Sequence, residues 1–256
     1  MDLRVATRWS DCHNHLHLQG DAEMLGGLLE SMGSVRCVVN ATREDDWDRI
    51  AAMAAACPER VAAAYGIHPW HAGTVSDGWQ ERLRERLAAD PRATVGECGL
   101  DGSVKVDREL QRRIFKDHLR IAREMDRVVT VHCVRAWGGV MDALTDSPPR
   151  RFLMHGYAGS AEMAARFATL GGWFSANGRI AKMGKLGVFR SIPLDRVVLE
   201  SDYGAAAGAD CPRLGDVAAA LAVALGCGEN EMAERVEANA SVLFRESFAT
   251  WTGYEI

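Results

Sequence analysis

The segment "DCHNHLHL" at residues 11–18 sets three histidines and an aspartate close together near the start of the chain. Histidine is the commonest protein metal ligand and titrates near neutral pH. If the segment enters as a β-strand, His13 and His15 share one face and Cys12 and Asn14 take the other. Two imidazoles so placed can meet one ion. An H-x-H pair taken alone has a second reading, two histidines exposed at a strand end.

Four residues further along shift that balance. Glu97 follows "ATVG", His132 follows "VVTV", His155 follows "FLM" and Asp202 follows "VVLES". Each closes an apolar run of strand character. A carboxylate or imidazole buried at such a place needs a partner, and the six together can satisfy one another through metal ions. The set holds imidazoles and carboxylates but no thiolate, which suits Zn, Mn or Fe, with Mg possible but preferring more oxygen. Six ligands are too many for one catalytic ion that keeps an open position. They fit two ions about 3.5–4 Å apart, with Glu97 as the bridge because a carboxylate offers two oxygens. Cys12, Cys98 and Cys133 each adjoin a proposed ligand, and strand alternation predicts that they point away, toward outer helices. No lysine ends a strand, so no carboxylated-lysine bridge is expected.

The elements that must carry these residues alternate along the chain. Strands are predicted at 9–13, 36–41, 61–67, 93–98, 128–133, 151–156, 172–177 and 196–201. Helices are predicted at 21–32, 44–57, 78–89, 107–125, 138–146, 160–170, 182–190 and 214–226, with a last one at 229–247. The stripe Leu110, Ile114, Ile121 and Met125 makes the fourth the clearest. Eight strand–helix alternations predict an α/β fold, a TIM (β/α)8 barrel, whose strand C-termini share one face where active sites are built. A doubly wound open sheet is the runner-up. The absence of a G-x-G-x-x-G or Walker sequence argues against a nucleotide-cofactor fold. No linker divides the chain, so residues 1–256 are read as one domain.

Composition bounds the partners. With 48% hydrophobic residues the 256-residue chain can build a large core, and its net charge of -5 excludes tight global attraction to polyanions. The seven cysteines are scattered without a C-x-x-C, which suggests free thiols in a reducing cytoplasm. Neither a signal peptide nor a membrane-length apolar run is apparent. No protein partner is implied.

The stretches "DCHNHLH", "GIHP" (66–69), "VGECGLD" (95–101), "VHC" (131–133), "HGYAGS" (155–160), "IPLDRVVLESD" (192–202) and "NASVLF" (239–244) occur in the order of the TatD family of amidohydrolase-like metal-dependent hydrolases, and the chain resembles that family from about residue 9 to 244. The resemblance implies a TIM barrel and a divalent-metal-dependent phosphodiesterase, a DNase often acting as a 3′-to-5′ exonuclease on single-stranded DNA or RNA. It implies that His13, His15 and Asp202 hold one metal, that His132 and His155 hold the second, and that Glu97 bridges. It also sets His68 beside the substrate phosphate, where a loop-ordering histidine before a proline is the plainer reading. Two departures fall where substrate would be gripped. Val134 stands where the family has an arginine, with Arg135 one residue later, and the last aspartate is followed by Tyr203 and a Gly/Ala run.

The expected chemistry is hydrolysis by a water activated between two divalent ions (Zn, Mn or Mg), with Asp202 taking its proton and Glu97 spanning the ions. Nucleic acid is the expected substrate. Arg135, Arg179 and Lys182 are candidates for flanking phosphates, and Trp70 and Trp137 for base stacking, against solvent exposure and packing respectively. A lactonase or amidohydrolase acting on C–O or C–N bonds fits the same ligand set, and a non-catalytic metal scaffold is the reading from another class.

Overall fold

A computed structural model describes residues 9–21, 23–204 and 213–249. Eight parallel strands, β1 (Trp9–Asn14), β2 (Ser34–Asn40), β3 (Val61–Tyr65), β4 (Thr94–Asp101), β5 (Val129–Val134), β6 (Phe152–Met154), β7 (Gly172–Ala176) and β8 (Val197–Leu199), pair in chain order. The helices between them are α1 (Leu25–Met32), α2 (Trp47–Ala56), α3 (Trp79–Ala89), α4 (Arg108–Glu124), α5 (Trp137–Asp146), α6 (Ala161–Thr169), α7 (Gly178–Lys182), α8 (Leu214–Leu225) and α9 (Glu229–Leu243). The sheet curls into a nearly closed barrel. β8 meets β1 through the bonds from the Asp202 N–H to the His13 carbonyl at 3.0 Å and from the His15 N–H to the Tyr203 carbonyl at 2.7 Å. The TIM architecture is thus present, and the open-sheet alternative is excluded.

The strands are buried on both faces, as parallel strands require, and their two faces feed two apolar clusters. Cys37, Val39, Val95, Val129 and Val131 pack outward against Leu29, Ile50, Leu83, Phe115 and Leu144 of the helices. The alternate residues Val38, Ala62, Ala64, Leu153, Trp173 and Val198 fill the barrel interior, where Leu243, Phe244 and Phe248 from the end of α9 and beyond it join them. α4 shows how sequence sets the helical layer. Asp107 caps it by accepting the Leu110 N–H at 2.7 Å, and its buried stripe includes Ile114, Phe115, Leu119, Ile121 and Ala122.

Two expectations are corrected. Cys12 points inward, into the interior cluster, because β1 carries a bulge: Asp11 pairs with Cys37 and Asn14 with Val39, so three steps on β1 match two on β2. An extra residue changes which face the following side chains take, and His13 and His15 still reach the interior end. Cys98 and Cys133 face the helical layer as expected. The helix predicted at 182–190 is not formed. α7 begins earlier, capped by Asn177, which accepts the Ile180 N–H at 2.9 Å, and ends at Lys182. Gly184 at φ 67° then breaks the chain direction, and a 3-10 stretch follows over Leu186–Ser191.

Candidate metal centre

Glu97 stands at the middle of the site because β4 is also bulged. Val95 pairs with Val129 and Cys98 with Val131, so Glu97 turns into the barrel while Cys98 turns out. Close approach of the neighbouring backbone makes room for it. A Cβ on Gly66 would stand 2.6 Å from the Gly96 carbonyl carbon, and one on Gly99 would stand 2.0 Å from the His132 carbonyl oxygen.

The two oxygens of Glu97 face two separate groups. Oε2 lies 3.4 Å from His13 Nε2 and 3.2 Å from His15 Nε2, and those nitrogens lie 3.6 and 3.8 Å from Asp202 Oδ1. Oε1 lies 2.7 Å from His132 Nδ1 and 2.8 Å from His155 Nε2. All six sequence-predicted ligands therefore converge at the C-terminal mouth. His17, the third histidine of the opening stretch, lies outside and faces Asp46 at 3.3 Å.

The donor set fits cations. His15 Nδ1 bonds the Asn40 carbonyl at 2.8 Å, which fixes the proton there and leaves Nε2 a bare lone pair. His155 Nδ1 faces Glu200 at 3.5 Å, and His132 Nε2 meets Asp101 at 3.3 Å. The inward nitrogens then crowd one another, His13 against His15 at 3.2 Å and His132 against His155 at 3.3 Å. Lone pairs so arranged around a buried carboxylate call for positive charge between them, and outer partners that orient each ring are the usual companions of metal-binding histidines. Burial disfavours the charged form of Glu97, but the surrounding imidazoles, His155 foremost, outweigh it and hold its carboxyl well below the usual range. Burial likewise opposes a charge on His155, yet Glu97 and Glu200 hold that imidazole well above the usual histidine value.

His68 plays a different part. Its Nδ1 accepts the Trp70 N–H at 3.2 Å, so in the neutral ring the proton sits on Nε2, which faces His132 Nδ1 at 3.1 Å, with Glu97 Oε1 3.6 Å away. Burial drives its pKa well below the usual value, against the pull of Glu97, which keeps the ring neutral. The donor tautomer argues against a ligand role for this nitrogen, although it lies close to His132 and Glu97.

Asp202 is the carboxylate nearest solvent in the site, with its side chain 18% exposed. Its backbone is left-handed at φ 54°, a conformation that aspartate tolerates better than most residues.

The other candidates separate. Arg135, left-handed at φ 50° just past β5, is exposed and lines a cavity outside the two metal groups. Arg179 leans over Gly156, where a Cβ would stand 3.3 Å from its Nη2, while Lys182 is exposed. Trp137 packs on Tyr157 and Phe167. Trp70 is 53% exposed, with its indole N–H held by Asp101 at 2.7 Å. The Gly/Ala run after Tyr203 lies outside the described residues.

Sequence reading missed Asp101, Asn40 and Asp11, which orient the ligands without belonging to them. Asp101 ends β4 and Asn40 ends β2, so a polar residue closing a buried strand was the available signal.

A parallel eight-stranded barrel with histidines and carboxylates gathered at its C-terminal mouth defines the class of metal-dependent barrel hydrolases. The model of the family described as TatD related DNase matches residues 10–245, and the chain belongs to that family. It is similar to an uncharacterized metal-dependent hydrolase TatD of Mycobacterium tuberculosis, 28% identical over 75% of this chain and 78% of the relative. It is also similar to the 3′-5′ ssDNA/RNA exonuclease TatD of Pectobacterium carotovorum, 26% identical over 71% and 73%. The crystal structure of YjjV, a TatD homologue of Escherichia coli, superposes with a TM-score of 0.85 at 25% identity, covering 94% of this chain and 99% of that one.

Proposed function

We propose that this protein hydrolyses phosphodiester bonds with two divalent ions, Zn, Mn or Mg, and trims single-stranded DNA or RNA from a 3′ end. The observation that carries the reading is the division of the Glu97 oxygens between two groups of imidazoles. His13, His15 and Asp202 would hold one ion, His132 and His155 the second, and Glu97 both. Such a pair of ions, when bound, supplies a water acidic enough to ionise near neutral pH and neutralises charge on the phosphoryl oxygens.

The chain's own groups do the rest. Asp202, partly exposed at the edge of the site, accepts the proton of the attacking water. His68 donates from Nε2 to a phosphoryl oxygen, and neutrality keeps it a directional donor rather than a competing charge. Glu200 and Asp101 hold the rings of His155 and His132 so that their inward nitrogens stay aimed. Arg179 over Gly156 and Trp70 at the rim would meet flanking phosphate and base. The exonuclease named among the relatives supports the choice of nucleic acid.

Among the described residues no helix is long and apolar enough to cross a membrane, and the six cysteines there are free. Free thiols suit a reducing compartment, and on that ground we propose the cytoplasm.

The test is turnover by metal-loaded protein of bis-p-nitrophenyl phosphate against a panel of lactones and amides, followed by end-labelled linear and circular single strands. Cleavage of the phosphodiester and of linear strands from the 3′ end is expected. Cutting of circles would remove the exonuclease mode, and turnover confined to lactones or amides would replace the reaction.

A further inference from the structure

Beyond the C-terminal ends of β4 and β5 a second concavity opens, outside the metal groups. It has a volume of about 130 Å³ and is lined by Arg108, Gln111 and Arg112 of α4, by Arg135, and by Leu100 and Asp101 of β4. That is about four waters at about 30 Å³ each, room for a tetrahedral oxyanion. Its shape is set by close backbone contact. A Cβ on Gly102 would stand 2.6 Å from the Arg135 carbonyl oxygen, and the Gly102 N–H bonds the Val134 carbonyl at 2.7 Å.

The positive charge here is only partly answered from within the described fold. The guanidinium groups of Arg108 and Arg135 are exposed and make no hydrogen bond or ion pair with a described residue. Arg112 Nη1 meets Glu109 at 3.2 Å, a solvent-exposed pair of the kind that contributes little. Asp101 is the carboxylate of the lining, and it is already engaged by Trp70 Nε1 at 2.7 Å, by the Ser103 N–H at 2.8 Å and by His132 Nε2 at 3.3 Å. The Gln111 amide is engaged too. It accepts the Asp101 N–H at 2.8 Å and donates to the Asp101 and Val106 carbonyls at 3.2 and 3.0 Å. The guanidinium groups of Arg108 and Arg135 are left around the hollow without a counter-ion among the described residues, and Arg112 has only its exposed pair with Glu109.

Asp101 is the wall between this hollow and the site. One of its oxygens holds both the His132 ring and the Trp70 indole, so metal ligand, aromatic rim and cationic cavity meet at one carboxylate. We propose that the cavity binds a phosphate of the substrate strand flanking the one hydrolysed, an assignment that rests on the phosphodiester reading above. The planar guanidinium fork matches phosphate oxygens two at a time. In a chain of net charge -5, a local cationic hollow also gives an approaching polyanion a preferred edge of the mouth.

The test uses the metal-loaded full chain, Arg108→Gln with Arg112→Gln as a pair, and Arg135→Gln alone, each checked for an unchanged melting temperature. kcat/KM is measured on a short single-stranded oligonucleotide and on bis-p-nitrophenyl phosphate, which has no flanking phosphate. The ratio of the two is expected to fall about tenfold or more, and the salt dependence of oligonucleotide binding to become shallower by about 0.7 of a unit of log–log slope for each contact removed from a single strand. An unchanged ratio overturns the proposal. If the wild type cleaves neither substrate, the functional reading fails, and anisotropy with a labelled, uncleavable phosphorothioate strand decides the cavity separately. Weaker binding by the variants supports it there, and equal binding overturns it. Inorganic phosphate is titrated in parallel. Phosphate binding lost in the variants while strand affinity is kept would mark a free-ion site and also overturn the proposal.

Discussion

The carboxylate of Asp11 accepts both the backbone N–H and the hydroxyl of Ser201, at 2.9 and 2.6 Å. These bonds sit at the seam where β8 meets β1, and the same carboxylate takes the His13 N–H at 3.3 Å and Asn14 Nδ2 at 3.0 Å. One buried side chain therefore fixes the strand that carries His13 relative to the strand end that carries Asp202. Asp11→Asn leaves a single acceptor oxygen and turns a donor toward groups that themselves donate. Metal affinity should fall by about 10–100-fold, the usual effect of removing an outer partner, and mainly at the group formed by His13, His15 and Asp202. Calorimetric titration of the apo-protein with Zn or Mn resolves this, and equal weakening of both binding steps would contradict it.

Glu97→Gln tests the bridge. The amide offers one good acceptor and no charge, whereas the carboxylate turns one oxygen to His13 and His15 and the other to His132 and His155. Both binding steps should weaken at least tenfold, by the same order as the loss of an outer partner or more. Retention of one ion at wild-type affinity would mean that Glu97 serves a single site.

Four of the six candidate ligands, Glu97, His132, His155 and Asp202, were legible because they follow apolar runs, and His13 and His15 because of their i, i+2 spacing; the end of a buried strand is a place where a polar side chain needs a reason to be. The alternation of runs likewise carried the barrel. What stayed hidden depends on register and on contacts between distant segments. The bulge that turns Cys12 inward leaves no mark in "SDCHN", and simple alternation misplaced that side chain. Gly184 broke a predicted helix whose apolar content looked adequate. Where Arg135 would stand was equally hidden, because its left-handed backbone after β5 sets it in the cavity beside α4. Asp101 and Asn40 act on histidines that come near only through strand pairing, His132 across the β4–β5 ladder and His15 across β1–β2.

His118 predicts an acid sensitivity away from the site. It is buried in α4, bonds the Ile114 carbonyl at 2.8 Å and stacks on Trp79 with ring centroids 4.6 Å apart. Burial pushes its pKa down from 6.5 to about 4. Between those values the unfolded chain binds a proton that the folded chain refuses, so stability falls as pH drops below the unfolded value. At pH 5 the loss from this residue is about 2 kcal/mol, at 1.36 kcal/mol per pH unit. His118→Phe keeps an aromatic ring against Trp79 without a titrating group. Urea melts at pH 7.5 and 5 should show the variant losing about 2 kcal/mol less than the wild type over that interval. Equal losses would show that His118 is protonated in the fold.

Asp202→Asn separates proton transfer from metal holding. Glu200, two residues earlier, also points into the barrel, but it is fully buried and engaged by Ser175, by Asn177 at 2.7 Å and by the His155 ring at 3.5 Å. It orients a ring and has no path to solvent. Asp202 lies at the edge, its Oδ1 within 3.6 Å of His13 Nε2 and its backbone tied to the His13 carbonyl at 3.0 Å. The asparagine keeps the shape and one oxygen, so both ions should still bind, that of the His13 group more weakly. Turnover on bis-p-nitrophenyl phosphate should fall by about 10²–10⁴-fold, the range for a positioned acid–base group, while KM changes little. Elemental analysis of the metal content must accompany the rate, because a loss explained by a missing ion says nothing of the proton. A variant that retains both ions and turns over near the wild-type rate would move the proton-acceptor role away from Asp202.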